Sequence, residues 1–144
     1  MNETGRTTIT AATAPAPIGP YSQGIKSSGF IFVSGQLGLD AQTGNLVGPD
    51  AASQARQALQ HLQAILESGG AGLGRVVKTT IFLIDMNDFA EVNKVYGEFF
   101  GFDPPARSTI QVAALPKGGR VEIEAIAQVP VVPVGNPILG VGLM

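Results

Sequence analysis

Cysteine is absent from this chain of 144 residues, and so is tryptophan. Without a thiol there is no disulfide framework, no thiolate nucleophile and no cysteine metal site. Histidine occurs once, as His61, which rules out a histidine metal cluster or a histidine pair within one chain. Charge is also scarce. Charged residues make up 14% of the chain, the formal net charge is −2, and the nine basic residues are scattered. That leaves no basic stripe able to track phosphates, so no nucleic-acid partner is expected. Long apolar runs are missing too. The end of the chain, "VPVVPVGNPILGVGLM", is apolar but too short, and too broken by Pro and Gly, to span a bilayer. The start, "MNETGRTTITAATAPAPIGP", has no continuous apolar core of a secretory leader. These absences predict a cytoplasmic protein with no membrane partner.

What is plentiful is apolar side chains, at 44%, together with 19 glycines. A chain of this length forms one domain with one core. We expect that domain over residues 1–129, with 130–144 as an apolar extension. So low a charge fraction also suggests that part of the surface meets another subunit.

The pattern along the chain resolves into alternating elements. "SQGIKSSG" reads as a strand and a turn, "FIFVSGQL" (30–37) as a buried strand, and "LDAQTGNL" as a loop. Asp50 is placed to cap a helix whose apolar stripe is Ala55, Leu59, Leu62 and Leu66, with Gly69 and Gly70 as its stop. Gln54, Arg56, Gln57, Gln60 and His61 fall mainly off that stripe and are expected on a wet face. "VVKTTIFLID" (76–85) is a strand. A second helix starts near Asn87 or Asp88, with Glu91 completing a capping box and Phe89, Val92, Tyr96 and Phe99 facing inward. Strands over 107–112 and 121–129 follow, joined by "AALPKGGR". The fold class is therefore α+β: a mixed sheet of about six strands with two helices on one face. The other face would lie bare in a monomer, which predicts a homo-oligomer.

Charge inside the last two strands calls for an explanation. Arg107 alternates with Ser108 and shares a face with Thr109 and Gln111, while Glu122 and Glu124 share the face opposite Val121 and Ile123. Pairing of the two strands as a hairpin would bring the arginine and both carboxylates together. The plain reading is an exposed ion pair worth ~0–1 kcal/mol. The functional reading gives Arg107 a carboxylate ligand in its planar fork and gives one glutamate a proton to move.

These residues resemble the signature of the YjgF/RidA family of reactive-intermediate deaminases. The signature stands here as Pro105-Ala106-Arg107, Ile110, Val112, Leu115-Pro116 and Val121-Glu122-Ile123-Glu124-Ala125. "APIGPYSQG" (16–24), "VSGQLGLDAQTG" (33–44), "QARQAL" (54–59) and "VVKTTIFLIDMNDFAEVNKVY" (76–96) resemble it as well, so the likeness covers about residues 13 to 129. The resemblance implies a chorismate-mutase-like homotrimer with pockets at the subunit clefts. It also implies cofactor-free hydrolysis of 2-imino and 2-enamino acids, such as 2-aminoacrylate, to 2-oxo acids and ammonia. In those terms Arg107 holds the carboxylate of the imino or keto acid and Glu122 orders the water. Tyr21, Ser34, Gly35, Asn93 and Thr109 then line the pocket, and Glu124 is structural. Thr109 stands where many members carry cysteine. Two other functions fit the same signature: a non-catalytic trimeric module that binds carboxylates, and an RNA-acting protein. The acidic pI, scattered cations and lone histidine argue against the second.

Overall fold

The computed structural model describes residues 5–130, so the expected extension lies almost wholly outside the described residues. Six strands form one sheet, β1 (Arg6–Ile9), β2 (Gly24–Ser27), β3 (Phe30–Leu37), β4 (Val76–Leu83), β5 (Ala106–Gln111) and β6 (Val121–Gln128). Two helices, α1 (Ala51–Ser68) and α2 (Phe89–Phe99), cover one face of it. This is the architecture that the alternation of elements predicts.

The strand order is β1-β2-β3-β6-β4-β5. β1, β2 and β3 form a meander, with the β2–β3 turn made by Ser28 and Gly29, both at positive φ. β6 slots antiparallel between β3 and β4, and β5 lies parallel to β4 on the outer edge. A parallel neighbour needs a crossover, and α2 supplies it. β5 and β6 therefore do not form the expected hairpin. The segment between them passes over the end of β4, where Val112 N–H donates to Leu83 O and Leu83 is paired with Val121.

α1 holds its place through the predicted stripe and through two side chains expected to be solvated. Asp50 caps the helix by accepting from Ser53 N–H at 2.9 Å. Leu59, Leu62, Ile65 and Leu66 are fully buried. Gln54 and His61, however, are buried as well. The Gln54 amide donates to Gly48 O and accepts from Arg120 N–H, each at 2.8 Å, tying the loop before α1 to the start of β6. His61 Nε2 lies 2.7 Å from Leu39 O. Both are polar plugs for loop groups that would otherwise be buried without partners. At the end of α1, Gly70 rather than Gly69 takes the left-handed conformation, with φ +88° against −92°.

α2 begins differently from expectation. Asp88 makes no capping hydrogen bond, so there is no capping box with Glu91. Asp88 accepts instead from Arg120 Nε and Nη2, at 3.0 and 2.7 Å. Asp85 caps the short turn that leads in, accepting from Asn87 N–H at 2.9 Å. An ion pair with a distant arginine has replaced the local cap.

The helix-free face of the sheet carries exposed Phe30, Phe32 and Ile110 beside half-buried Phe82 and Ile126. Glu124 lies on this face, exposed and in register with Thr80. It borders a pocket of about 220 Å³ lined with Phe32, Lys78, Thr80 and Ile126.

Candidate functional site

Arg107 is positioned by its strand pairing. In the parallel β4–β5 ladder it lies opposite Thr79, whose other neighbour is Ala125 of β6. Thr79 and Ala125 are buried beneath the helices, so Arg107 stands on the helix side of the sheet at its open edge. There its guanidinium rests on two α2 rings, 4.8 Å from the Tyr96 centroid and 5.7 Å from that of Phe89. Such contacts contribute about 0.5–1 kcal/mol each and, more usefully, fix the plane of the fork. Tyr96 is fixed in turn, its hydroxyl 2.7 Å from Thr79 Oγ1. Burial pushes that hydroxyl above its ordinary pKa, outweighing the opposing influence of Thr79 and Arg107, so it stays neutral.

The guanidinium looks into an open cleft of about 370 Å³ formed with Asn93, Gly97, Phe100, Pro104 and Pro105. Asn93 is half-buried there and not fully solvated. Thr109 follows Arg107 on the same side of β5. Its hydroxyl oxygen is buried and has no hydrogen-bond partner in the described protein. The rings in contact with Arg107 belong to the stripe that periodicity assigns only to the core. Tyr96 and Arg107 meet only because α2 crosses from β4 to β5, and no local motif signals that contact.

Glu122 is elsewhere. It is in register with Leu37 and Phe82, three residues from Ala125, and therefore on the opposite side of the sheet from Arg107. Ser34 and Gly35 form a bulge in β3 between Val33 and Gln36. A Cβ on Gly35 would lie 2.7 Å from Glu122 Oε2, so the carboxylate sits against bare backbone that only glycine leaves clear. Ser34 Oγ donates to Ser22 O at 2.6 Å, and Ser34 N–H donates to Gln23 O at 2.9 Å. These bonds hold the loop that carries Tyr21. Tyr21 is 49% exposed and so is not a core aromatic. Its hydroxyl accepts from Ile18 N–H at 3.3 Å. Burial, and secondarily the neighbouring Glu124, raise the pKa of Glu122 above the usual carboxylate range.

The seven candidate residues thus separate into two groups. Arg107 and Asn93 border one cleft, with Thr109 two residues along β5 on the same side of the sheet, and Glu122, Ser34, Gly35 and Tyr21 gather around the β3 bulge. Among the described residues no set of three His, Asp or Glu side chains converges as a metal site would require. No helix there is long and apolar enough to cross a membrane.

Comparison with known proteins decides what this arrangement belongs to. The family profile described as endoribonuclease L-PSP matches residues 11–129. The 2-iminobutanoate/2-iminopropanoate deaminase of Bos taurus is 51% identical over 127 residues, covering 88% of this chain and 93% of its own. A RutC family protein of Pyrococcus horikoshii is 50% identical over 119 residues, covering 83% of this chain and 94% of its own. The crystal structure of Escherichia coli TdcF with bound serine superposes with a TM-score of 0.81 at 42% identity, covering 85% of this chain and 98% of that one.

The chain belongs to the YjgF/RidA family.

The family profile carries an endoribonuclease description, yet this YjgF/RidA member offers no histidine to RNA in its cleft. His61 is buried against Leu39 O, and burial lowers its pKa below the ordinary value, against smaller opposing effects of Leu39 and Asp40.

Proposed function

We propose that this chain hydrolyses 2-imino acids to 2-oxo acids and ammonia, in a pocket that two copies of the chain complete. The observation that carries the reading is the Arg107 fork, held against Tyr96 and Phe89 at the border of an open cleft. A guanidinium held this way matches a carboxylate in a bidentate contact. Charge-assisted bonds of this kind contribute about 1.5–3 kcal/mol. The deaminase name of the cattle relative and the serine, a carboxylate ligand, in the TdcF crystal support the same reading.

The chemistry needs little beyond positioning and one proton shuttle. Water adds to the imine carbon, forming a C–O bond and a carbinolamine. The C–N bond then breaks as the new C–O bond becomes a carbonyl, and the nitrogen leaves as ammonia, carrying both protons of the water beside the one it held in the imine. Glu122 suits both steps. A carboxylate whose pKa is raised by burial above its ordinary value takes a proton from water and returns it to nitrogen, work worth roughly 10²–10⁴ in rate.

Arg107 and Glu122 stand on opposite sides of one sheet and cannot serve one substrate within one chain. The arginine cleft of one copy must face the Glu122 group of another. The apolar helix-free face supplies a surface for association, and the family resemblance supports a homotrimer. Sedimentation of the purified protein checks the mass, and a stable monomer would contradict the shared pocket.

The decisive experiment couples the protein to a threonine dehydratase and traps the released imine with semicarbazide. Wild type should accelerate formation of the 2-oxo acid. Arg107→Ala should abolish the acceleration, Arg107→Lys should restore little of it, and Glu122→Ala should weaken it by about 10²-fold or more. Carboxylate binding without any acceleration would show instead a ligand-binding module.

A further inference from the structure

The α2 helix contains an unexplained glycine. Gly97 lies in the interior of Phe89–Phe99, at ordinary helical φ, and is exposed. Glycine is a poor choice there, because it loses more backbone freedom on folding than alanine and supplies no packing in return. The usual reasons for tolerating it do not apply. No turn requires a left-handed residue at this position, and a Cβ built on Gly97 meets nothing within 4 Å. The fold would accept alanine without a clash, so packing inside the chain does not explain the missing side chain.

Its surroundings do. Gly97 lies one turn after Asn93 on the side of α2 that borders the Arg107 cleft, between that asparagine and Phe100. The cleft it lines also holds the guanidinium and an apolar wall of Phe100, Pro104 and Pro105. On one copy, before a neighbour covers it, the cleft offers about 370 Å³, within the size range of ligand sites. A substrate anchored by its carboxylate on Arg107 would lay its side chain along this wall, past the position where a Cβ of residue 97 would stand.

We propose that Gly97 sets substrate size, so that the cleft admits 2-imino acids with bulky apolar side chains, of the branched aliphatic or aromatic kind. The proposal rests on the deaminase reading and specifies its substrate class. The immediate source of such a substrate would be a reaction that oxidises or eliminates at the α-carbon of a bulky amino acid and releases its imine. The side chain makes only apolar contacts, and discrimination comes from room, not from a new hydrogen bond.

The test uses one L-amino acid oxidase to generate imines from 2-aminobutanoate, leucine and phenylalanine, with semicarbazide trapping as the readout. Wild type should hydrolyse the leucine-derived imine with a kcat/KM within about tenfold of the 2-aminobutanoate-derived one. In Gly97→Leu the ratio of bulky to small kcat/KM should fall about tenfold or more, since filling a pocket discriminates on that scale. Gly97→Ala should melt a few degrees above wild type, because nothing within the chain opposes its better helix propensity. A ratio unchanged within about twofold in a folded Gly97→Leu protein would overturn the proposal. So would a destabilised Gly97→Ala, which would show that packing holds the glycine. If wild type hydrolyses none of the imines, the deaminase reading fails separately. Titration with 4-methyl-2-oxopentanoate and 2-oxobutanoate then decides the role of Gly97. Selective loss of the bulky acid in Gly97→Leu supports it, and parallel affinities refute it.

Discussion

Individual side chains in this protein are best read by asking what a charged or polar group gains from its position. Arg107 stood out in the sequence because a strand rarely carries a cation without a task, and the structure gives it two aromatic rings and an open cleft. His61 shows the opposite case. Its place off the apolar stripe suggested solvent, but the loop before α1 folds over it, and the bond to Leu39 O was invisible to a helical wheel. The consequence is measurable. With its pKa lowered by burial, His61 binds a proton less tightly in the folded chain than in the unfolded one. Its contribution to stability is therefore complete above 6.5 and is lost as pH falls through the depressed folded value. Denaturant titrations of wild type should show this loss on acidification. His61→Gln, which retains an amide donor for Leu39 O but cannot titrate, should flatten that part of the profile. Superimposable profiles for the two proteins would refute the assignment.

Elements were legible from their periodicity, whereas their partners were not. The stripe of α1, the cap at Asp50 and all the main strands follow from residues close together in sequence. The order of strands does not, because pairing β5 with β4 instead of β6 is decided by the α2 crossover and by contacts far apart in the chain. The same limit hid the replacement of the α2 cap by Asp88–Arg120. It also hid how closely α1 approaches the loop after β3. A Cβ on Gly38 would lie 2.4 Å from Gln54 Cα and 2.5 Å from its carbonyl oxygen, a contact with backbone that cannot rotate away. Gly38→Ala should therefore cost about 1–3 kcal/mol, seen as a lower urea midpoint at unchanged slope. The strain would reach the bulge beside Glu122, since Gly38 follows β3 directly. A midpoint equal to that of wild type would mean that helix and loop are free to separate.

For the whole molecule, the sequence suggested an oligomer with pockets at subunit clefts, and the expected hairpin set Arg107 beside Glu122 within one chain. Strand parity puts the two on opposite sides of the sheet, so on the proposed function they meet between chains. This difference can be tested by mixing. Arg107→Ala and Glu122→Ala proteins, each inactive or weak alone, should regain about one quarter of wild-type activity when refolded together in equal amounts, because some junctions then pair an intact arginine with an intact glutamate. A pocket confined to a single chain would recover nothing, whatever the mixing ratio.

The position of the two half-sites also constrains how copies can associate. In the proposed homotrimer a surface bearing the guanidinium meets a different surface bearing the carboxylate, so the contact is head-to-tail and every incomplete assembly has an unused end. Such contacts either close into a ring or continue as a fibre. Ring closure thus does more than bury apolar strands: it uses up the last open end, and a substitution that altered the angle between neighbours would trade a compact particle for growing polymers.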